Sequence, residues 1–262
     1  MSITFRKILE FWRLPQTIGI DLDDPATTLL HAQIILEKPY LRNIYTEYYQ
    51  IFSEVVFKNP QGTYVELGSG GGFIKKVLPQ VKTSDILDLP DVDFCFSAGS
   101  MPFEDQSIDG FFMINVFHHA KSPVRFLQEI DRCLRPGGAI IMIEPANTLW
   151  GRFIYQTFHH EPFDPHAGWF IEGTKPLSEA NGALPWIVFC RDQKKFAQEF
   201  PALKVISLQY DMPFRYVLSG GVSFKQLFPA WTYFMVRTIE RGLSPLNKFL
   251  GMFMKIKIQK TL

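Results

Sequence analysis

Two groups of residues in this sequence have the types and spacing that chemistry requires. The first is the run Val65–Gly72, in which the acid Glu66 precedes glycines at 68, 70, 71 and 72. Glycines allow a tight turn and a close approach of backbone to ligand, which is typical of a cofactor site after a strand. The second group is the segment 155–166, which contains three histidines and two acids. Imidazole and carboxylate groups can move protons or bind a metal ion.

Two acids indicate which cofactor the glycine-rich run would bind. Asp85 lies 17 residues after Gly68, at the predicted end of the next strand, where a carboxylate can accept hydrogen bonds from ribose hydroxyls. That position suits a dinucleotide or S-adenosylmethionine (SAM). Glu66 is an awkward neighbour for a pyrophosphate but suits a cationic ligand, and no Gly-x-Gly-x-x-Gly pattern is present. The sequence therefore favours SAM, and a nicotinamide-dependent oxidoreductase is the disfavoured alternative.

The histidine-rich segment has three interpretations: a metal site, a hydrogen-bonded loop or a general base. By residue type, its candidate metal ligands are His159, His160, Glu161, Asp164 and His166. Adjacent histidines on an extended chain point to opposite sides and two prolines fix the backbone, so we expect no metal ion here. We take His159 or His160 as the candidate general base. His119, after the fourth predicted strand, is a further catalytic candidate, although a structural or cofactor-adjacent role is favoured for it.

The elements that must position these residues alternate along the chain. Strands are predicted at 63–67, 81–85, 93–97, 109–116, 139–144 and 203–209, with 214–218 as a candidate last strand. Helices are predicted at 3–12, from 25 onward, and at 40–57, 72–78, 122–134 and 191–200. Strands that alternate with short helices indicate a doubly wound α/β sheet.

Four segments, in this order, resemble class I SAM-dependent methyltransferases of the type 11 domain family. They are Glu66–Gly72, Met101–Asp109, Asn115–His119 and Arg132–Gly138, and the resemblance covers roughly residues 60–146. It implies a Rossmann-like fold and methyl transfer from SAM. A SAM-fold protein without turnover, serving as a scaffold or a SAM-responsive binding module, is the alternative. The intact acids and glycines of the turn favour the enzyme.

The resemblance also implies where each part of SAM binds. The methionine part would lie at the glycine turn, the ribose at Asp85, the adenine beside Ser97 and Ala98, and the backbone of Asn115 and Val116 would line the cofactor. Ser97 stands where the family usually has an acid, so adenine recognition there lacks a charge. The expected cofactor residues are Glu66, Gly68, Ser69, Gly70, Gly72, Asp85, Ser97, Ala98, Asn115 and Val116.

The expected organisation is a Rossmann-like doubly wound sheet with a helical N-terminal prefix and a helical, aromatic-rich C-terminal cover. We assign residues 1–60 to the prefix and 61–146 to the SAM-binding core. Residues 147–221 are a substrate-side insertion and the end of the sheet, and 222–262 are a basic amphipathic helical tail.

Aromatic residues and positive charge are concentrated late in the chain. Phe accounts for 25 of the 262 residues, and 21 of the 39 aromatic residues fall within 150–262. The net charge is only +1, yet the segment 225–262 has seven basic residues and one acid. A near-neutral chain without a recognition motif argues against nucleic acid as a partner. Basic helices rich in aromatics can either lie on an anionic membrane or pack on their own domain.

The acceptor is therefore expected to be a small or lipid-linked apolar molecule, methylated in line on oxygen, with carbon left open. A hydroxyl is preferred because the histidine-rich loop could supply the base. Three widely spaced cysteines, no signal peptide and no long apolar run predict a cytoplasmic protein. The segment 225–262 could hold it peripherally on the inner face of the membrane.

Overall fold

The computed structural model describes residues 10–159 and 161–261. Most of the helix predicted at 3–12 lies outside these residues, as does the candidate base His160. The described end of that helix, residues 10–12, is helical.

A seven-stranded sheet forms the centre of the described chain, in the order β3-β2-β1-β4-β5-β7-β6. The strands are β1 (Tyr64–Leu67), β2 (Lys82–Asp85), β3 (Phe94–Cys95), β4 (Ile108–Ile114), β5 (Leu134–Pro145), β6 (Leu203–Asp211) and β7 (Phe253–Lys260). Strands β1 to β5 pair in parallel, whereas β7 pairs antiparallel with both β5 and β6. The strand order reverses between β1 and β4, and ligands of such sheets bind in the crevice at that switch point.

Three of the described helices begin at a residue whose side chain caps the first turn. They are α1 (Pro25–Glu37), α2 (Pro39–Val56), α3 (Pro123–Cys133), α4 (Leu149–Phe158), α5 (Gln193–Glu199), α6 (Arg215–Ser219), α7 (Tyr233–Gly242) and α8 (Asn247–Leu250). A short helical turn, Leu184–Trp186, runs into a π-helical segment, Ile187–Arg191. Helices α1, α3 and α4 start at Asp24, Ser122 and Thr148, whose side chains accept a hydrogen bond from a backbone N–H of the first turn.

Many aromatic side chains of the first half lie between α2 and the sheet. The rings of Phe52 on α2 and Phe112 on β4 stack with centroids 4.7 Å apart, and Tyr64 stacks on Phe112 from the neighbouring strand at 5.8 Å. The buried residues of α2 and those of the strands belong to one hydrophobic core. The helical prefix therefore packs as part of the sheet domain.

The structure corrects three secondary-structure predictions. The predicted helix at 72–78 is only a 3-10 turn, Ile74–Lys76, and the predicted strand at 214–218 is helix α6. The tail 222–262 is not helical throughout, because Phe253–Lys260 is strand β7, which lies between β5 and β6 in the sheet. Met254, Ile256 and Ile258 are buried and alternate with lysines. This alternation with a period of two is typical of a strand, although the lysines led to the prediction of a basic helix.

Candidate active site

The glycine turn after β1 is too crowded for side chains. Gly68 has a left-handed backbone, with φ of +64°, and a Cβ on it would lie 2.5 Å from Val116 Cγ2. A Cβ on Gly70 would lie 2.5 Å from Thr28 Cγ2 and 2.8 Å from Asp85 Oδ2. A Cβ on Gly72 would lie 2.4 Å from the Tyr49 hydroxyl. Only glycine fits this turn, so its bare backbone can approach a ligand.

Glu66 lies beneath the turn as a buried carboxyl group. Its side chain is 2% exposed, and its Oε2 atom has no hydrogen-bond partner among the described residues. Burial, and then the charge of Asp85, raises the pKa of Glu66 to about 8. Burying a carboxyl oxygen without a hydrogen-bond partner costs free energy unless a cation or a hydrogen-bond donor binds to it. The position of Glu66 therefore suits a positively charged ligand group.

Asp85 is held at the carboxyl end of β2 by backbone donors. Its carboxylate accepts hydrogen bonds from the N–H groups of Gly70 and Leu87, each at 3.0 Å. Burial raises the pKa of Asp85, and these backbone hydrogen bonds oppose the shift. The contact from Gly70 ties the glycine turn to the carboxylate, so the two predicted cofactor elements form one unit.

A cleft of about 600 Å³ opens at the carboxyl ends of β1, β2 and β4. Seven of the expected cofactor residues line it: Gly68, Gly70, Asp85, Ser97, Ala98, Asn115 and Val116. Glu66, Ser69 and Gly72 lie at the glycine turn outside the lining, where the Ser69 hydroxyl donates to the Glu66 carbonyl at 3.1 Å. The sequence analysis missed Thr28 and His31 of α1, which also line the cleft. Their contribution depends on how α1 packs, which no local motif reveals.

A buried histidine–glutamate cluster lies beside the cleft. His118 Nδ1 is 2.7 Å from Glu144 Oε2, and its Nε2 is 3.2 Å from Glu161 Oε2. His119 Nε2 is 3.7 Å from Glu161 Oε1, and His159 Nδ1 is 3.7 Å from Glu161 Oε2. The other oxygen of Glu144 accepts from two consecutive backbone N–H groups of the loop after β4, at 2.9 and 2.7 Å.

The carboxylates of this cluster favour the protonated form of His118. Burial alone would lower the pKa of His118, but hydrogen bonds to Glu144 and Glu161 outweigh burial and raise that pKa to about 10. Burial likewise opposes ionisation of Glu161, yet the hydrogen bond and charge of His118 hold its pKa well below its usual range. The cluster thus holds two carboxylates in a nearly dry site, and an imidazolium between them compensates part of their charge.

The candidate histidines of the sequence analysis are only partly brought together. His119 and His159 both adjoin Glu161, whereas Asp164 and His166 form a separate turn in which Asp164 Oδ1 accepts from the His166 N–H at 2.9 Å. The four described members of the sequence-based set of metal ligands are therefore not assembled at one point. The analysis missed His118 and Glu144. The His118-His119 pair and the acid at the end of β5 were the available signals.

Three cavities meet at this cluster. A small cavity of about 90 Å³ contains the cluster, and His119 lines both it and the cofactor cleft. A third cavity of about 660 Å³, here called the apolar cavity, lies on the other side. His159 lines the small and apolar cavities, and Tyr216 lines all three. Tyr216, which was not among the predicted site residues, is partly buried, and burial followed by the charge of Glu161 raises its pKa to about 12.

The fold and the cleft define an α/β protein that binds a nucleoside cofactor at the switch point of its sheet. Residues 65–142 match the model of the methyltransferase domain family. This segment therefore matches a methyltransferase domain in the part of the chain where the motifs predict one. The comparison with curated proteins finds no match.

Solved methyltransferase structures overlap with much of the chain. A geranyl diphosphate methyltransferase in complex with SAM aligns over 88% of this chain and 90% of its own, with 11% identity and a TM-score of 0.49. A SAM-dependent methyltransferase from Thermotoga maritima aligns over 88% and 99%, with 16% identity and a TM-score of 0.48. The geranyl diphosphate C-methyltransferase of Streptomyces coelicolor A3(2) aligns over 87% and 82%, with 10% identity and a TM-score of 0.48. Overlaps at this level say nothing about the acceptor.

The residues of the cleft fit SAM. Glu66 lies beneath the turn, and its buried oxygen, which has no hydrogen-bond partner among the described residues, suits a ligand with cationic groups. Cβ atoms on Gly68, Gly70 and Gly72 would clash with neighbouring side chains, so the turn presents bare backbone at these positions. The carboxylate of Asp85 still has lone pairs for ribose hydroxyls after its two backbone contacts. Glu66, the glycine turn and Asp85 would therefore hold the cofactor.

Proposed function

We propose that the protein methylates a hydroxyl oxygen of a small or lipid-linked apolar molecule bound in the apolar cavity. The observation that carries this proposal is the position of the cavity beside the cofactor cleft. His31, Tyr216 and Val222 line both spaces. An acceptor in the cavity would therefore lie next to the cofactor without leaving the protein.

The size and lining of the apolar cavity support this type of acceptor. Its volume of about 660 Å³ is within the usual range for sites that enclose a small organic ligand. Its walls are largely aromatic and aliphatic: Trp12, Trp150, Phe153, Ile154, Phe158, Val217, Phe224, Leu227 and Met252. Burying apolar surface there provides about 25 cal/mol for each Å² removed from water, which favours an apolar over a sugar-like acceptor.

The chain's own residues would mainly align the reaction. When bound, SAM supplies a methyl group on a positively charged sulfur. The acceptor oxygen forms the new bond to that methyl carbon, the carbon–sulfur bond breaks with its electron pair on sulfur, and the hydroxyl proton passes to a base. The cavity walls hold the acceptor, the glycine turn and Asp85 hold the cofactor, and exclusion of water between them favours in-line approach.

His159 is our candidate for the base, because it lines the apolar cavity on the side of the cluster. Its Nδ1 accepts a hydrogen bond from the Glu161 N–H at 3.3 Å, which places the proton of a neutral ring on Nε2. To receive a proton, His159 must give up this long hydrogen bond. The His159→Gln variant should therefore lower kcat at least about 100-fold with little change in SAM affinity. His166→Gln, an exposed histidine of the same loop, is the matched control.

The acceptor class can be tested by transfer of labelled methyl from SAM into a cell extract. The extract is separated into lipid, sugar and soluble fractions, and Asp85→Asn is the control for transfer that does not depend on the cofactor site. Label in the lipid fraction or in apolar soluble products supports the proposal. Label confined to sugars or polar metabolites refutes it. Treatment of the labelled product with hydriodic acid releases the methyl group of an ether as labelled methyl iodide and leaves a C-methyl group in place, which distinguishes O- from C-methylation.

A second feature supports delivery from a membrane. Exposed apolar side chains, here called the apolar face, lie between residues 227 and 249: Leu227, Phe228, Trp231, Phe234, Met235, Ile239, Leu246 and Phe249. Trp231 is 75% exposed, and Leu227 also lines the apolar cavity. Among the described residues, no helix is both long and apolar enough to span a bilayer. We propose that this face rests on an anionic lipid surface.

The charge of the same segment supports an anionic surface. Arg241 and Lys248 are exposed, and Lys225 and Arg237 are half-buried. The one acid of the segment, Glu240, is buried and paired with Arg215. Positive charge therefore faces outward beside the exposed aromatic rings, a combination that binds anionic headgroups.

Vesicle binding tests the apolar face. Deletion of 225–262 is unsuitable because it would remove β7 from the sheet, so we choose Trp231→Ser with Phe234→Ser. Phe57→Ser is the matched control, since Phe57 is 66% exposed and follows α2, outside the apolar face. We expect cosedimentation with vesicles that contain phosphatidylserine, loss in the double variant and retention in the control. Absence of wild-type binding, or equal binding by the double variant, refutes the membrane proposal and leaves the methyl transfer assay unaffected.

A further inference from the structure

Three side chains of the histidine–glutamate cluster are arranged as metal ligands. One ligand atom from each of His118, His119 and Glu161 lies within 4.8 Å of the other two. His118 Nε2 is 3.2 Å from Glu161 Oε2, and His119 Nε2 is 3.7 Å from Glu161 Oε1. Nitrogen and oxygen ligands bound at about 2.1 Å to one ion lie roughly 3 to 3.5 Å apart. The two separations from Glu161 are close to this range, and the two histidine ligand atoms lie at most 4.8 Å apart.

A carboxylate behind His118 supports this arrangement. Glu144 Oε2 is 2.7 Å from His118 Nδ1, and Glu144 is fully buried. When an ion displaces the Nε2 proton of His118, the ring keeps its Nδ1–H on Glu144 and presents the Nε2 lone pair on the side of Glu161. The backbone N–H groups of Val116 and Phe117 hold the second oxygen of Glu144. Such backing carboxylates orient and strengthen histidine ligands in metal sites.

The charge and space of the cluster also suit a cation. Glu144 and Glu161 bring two carboxylates into a buried region, and the adjoining cavity of about 90 Å³ is lined by all three ligand residues. That volume accommodates an ion with one or two water molecules, since a water takes about 30 Å³. Imidazole ligands together with one carboxylate select ions such as Zn²⁺ over Mg²⁺ or Ca²⁺.

We propose that His118, His119 and Glu161 bind one divalent ion of the Zn²⁺ type at the junction of the cofactor cleft and the apolar cavity. This differs from the sequence-based expectation of no metal, which was made for Glu161 together with His159, His160, Asp164 and His166. Three protein ligands leave a coordination position for water or an acceptor oxygen. The proposal concerns binding alone, so it stands or fails independently of the methyl acceptor.

Metal binding by the full, untagged chain tests this proposal directly. The purified protein is first treated with a chelator and then titrated calorimetrically with Zn²⁺, and Co²⁺ is used as a spectroscopic substitute. We expect one equivalent of Zn²⁺ and visible absorption bands of Co²⁺ with nitrogen and oxygen ligands. Glu161→Gln and His119→Gln should each weaken Zn²⁺ binding by at least about 100-fold. The matched controls are His166→Gln and Glu172→Gln, both exposed positions outside the cluster.

The outcomes separate a metal site from a hydrogen-bonded triad. Stoichiometric binding that the two cluster variants lose and the two controls retain supports the proposal. Absence of stoichiometric binding by the wild-type protein overturns it, as does binding that persists in Glu161→Gln. Circular dichroism verifies that each variant is folded. If Glu161→Gln does not fold, Glu161→Asp keeps the charge, shortens the ligand and must change the Co²⁺ spectrum.

Discussion

Replacing Glu66 with Gln should make the ligand-free protein more stable, and increasingly so as the pH rises. Glu66 is buried beneath the glycine turn with one oxygen unpartnered among the described residues, and its pKa is raised to about 8 from 4.5. The folded state therefore holds this proton more tightly than the unfolded state. Its stabilising contribution is complete below about pH 4.5 and is lost as the pH rises toward 8. Gln has nearly the same shape and does not ionise.

The size of the expected stability difference follows from the shift in the pKa of Glu66. For each pH unit between the pKa of Glu66 in the unfolded state and its pKa in the folded state, the wild type loses on the order of 1 kcal/mol of unfolding free energy relative to Glu66→Gln. Between pH 5 and pH 8 the difference in unfolding free energy should grow by about 3 kcal/mol. For a chain of this length, about 3 kcal/mol corresponds to a difference in Tm of roughly 6 to 12 °C.

The assay is thermal or denaturant unfolding of both proteins without SAM, at half-unit steps from pH 5 to pH 8. Other titrating groups are common to the two proteins, so the difference between their curves isolates Glu66. Calorimetry with SAM in two buffers of different ionisation enthalpy gives a second readout. A cationic ligand should release the Glu66 proton near pH 7, and the Gln variant should lack this part of the proton release.

A difference curve that stays flat between pH 5 and pH 8 would refute the reasoning about burial. A curve with the opposite slope would mean that Glu66 is ionised and well partnered in the folded protein. If stability behaves as expected but proton release does not change, Glu66 is a buried acid that the cofactor does not contact.

Three further predictions concern the cofactor turn and the fold. Gly70→Ala should weaken SAM binding by about 10- to 100-fold, because overpacking costs about 1–3 kcal/mol. The control is Gly168→Ala, which has open space around it and should leave the affinity for SAM, measured by calorimetry, unchanged. Asp85→Asn should weaken the binding of SAM and of its demethylated product alike, by about 10- to 100-fold, because both compounds contain the ribose. Equal affinities of the wild type and the variant would exclude a contact between Asp85 and the ribose. Arg215→Met should lower the unfolding free energy by about 3–5 kcal/mol, because it leaves two carboxylates without their buried partner. Arg241→Met, at an exposed position, should stay within about 0.5 kcal/mol of wild type in the same denaturant titration.

Prediction from sequence succeeded where the signal was local. The glycine turn, Asp85 and the apolar runs of β4 and β5 lie within short stretches whose backbone demands are visible in the residues themselves. Prediction failed at β7, where Lys255 and Lys257 suggested a solvated basic helix. A strand in the sheet can carry those lysines on its partly exposed face, because Lys255 pairs with Asp211 and the aliphatic stems cover the neighbouring strand.

The candidate site shows the same division. Gly68, Asp85 and Asn115, the last expected from the family resemblance, line one cleft because parallel strands of one sheet bring their carboxyl ends to the same edge. His118, Glu144 and Glu161 were not recognised as a unit, since their distances along the chain carry no information about their contact. Tyr216 was missed because its position depends on α6, which was predicted as a strand.

The sequence by itself determined that this chain contains a doubly wound α/β sheet with a glycine-rich turn after its first strand, because tight turns and buried strands depend on neighbouring residues. Only the tertiary structure decided what surrounds that turn. It placed α1 over the cofactor cleft, brought two histidines of the β4 loop against Glu161, and set the apolar cavity beside them. These contacts join segments far apart in the chain, and the packing of the whole sheet and its helices decides them.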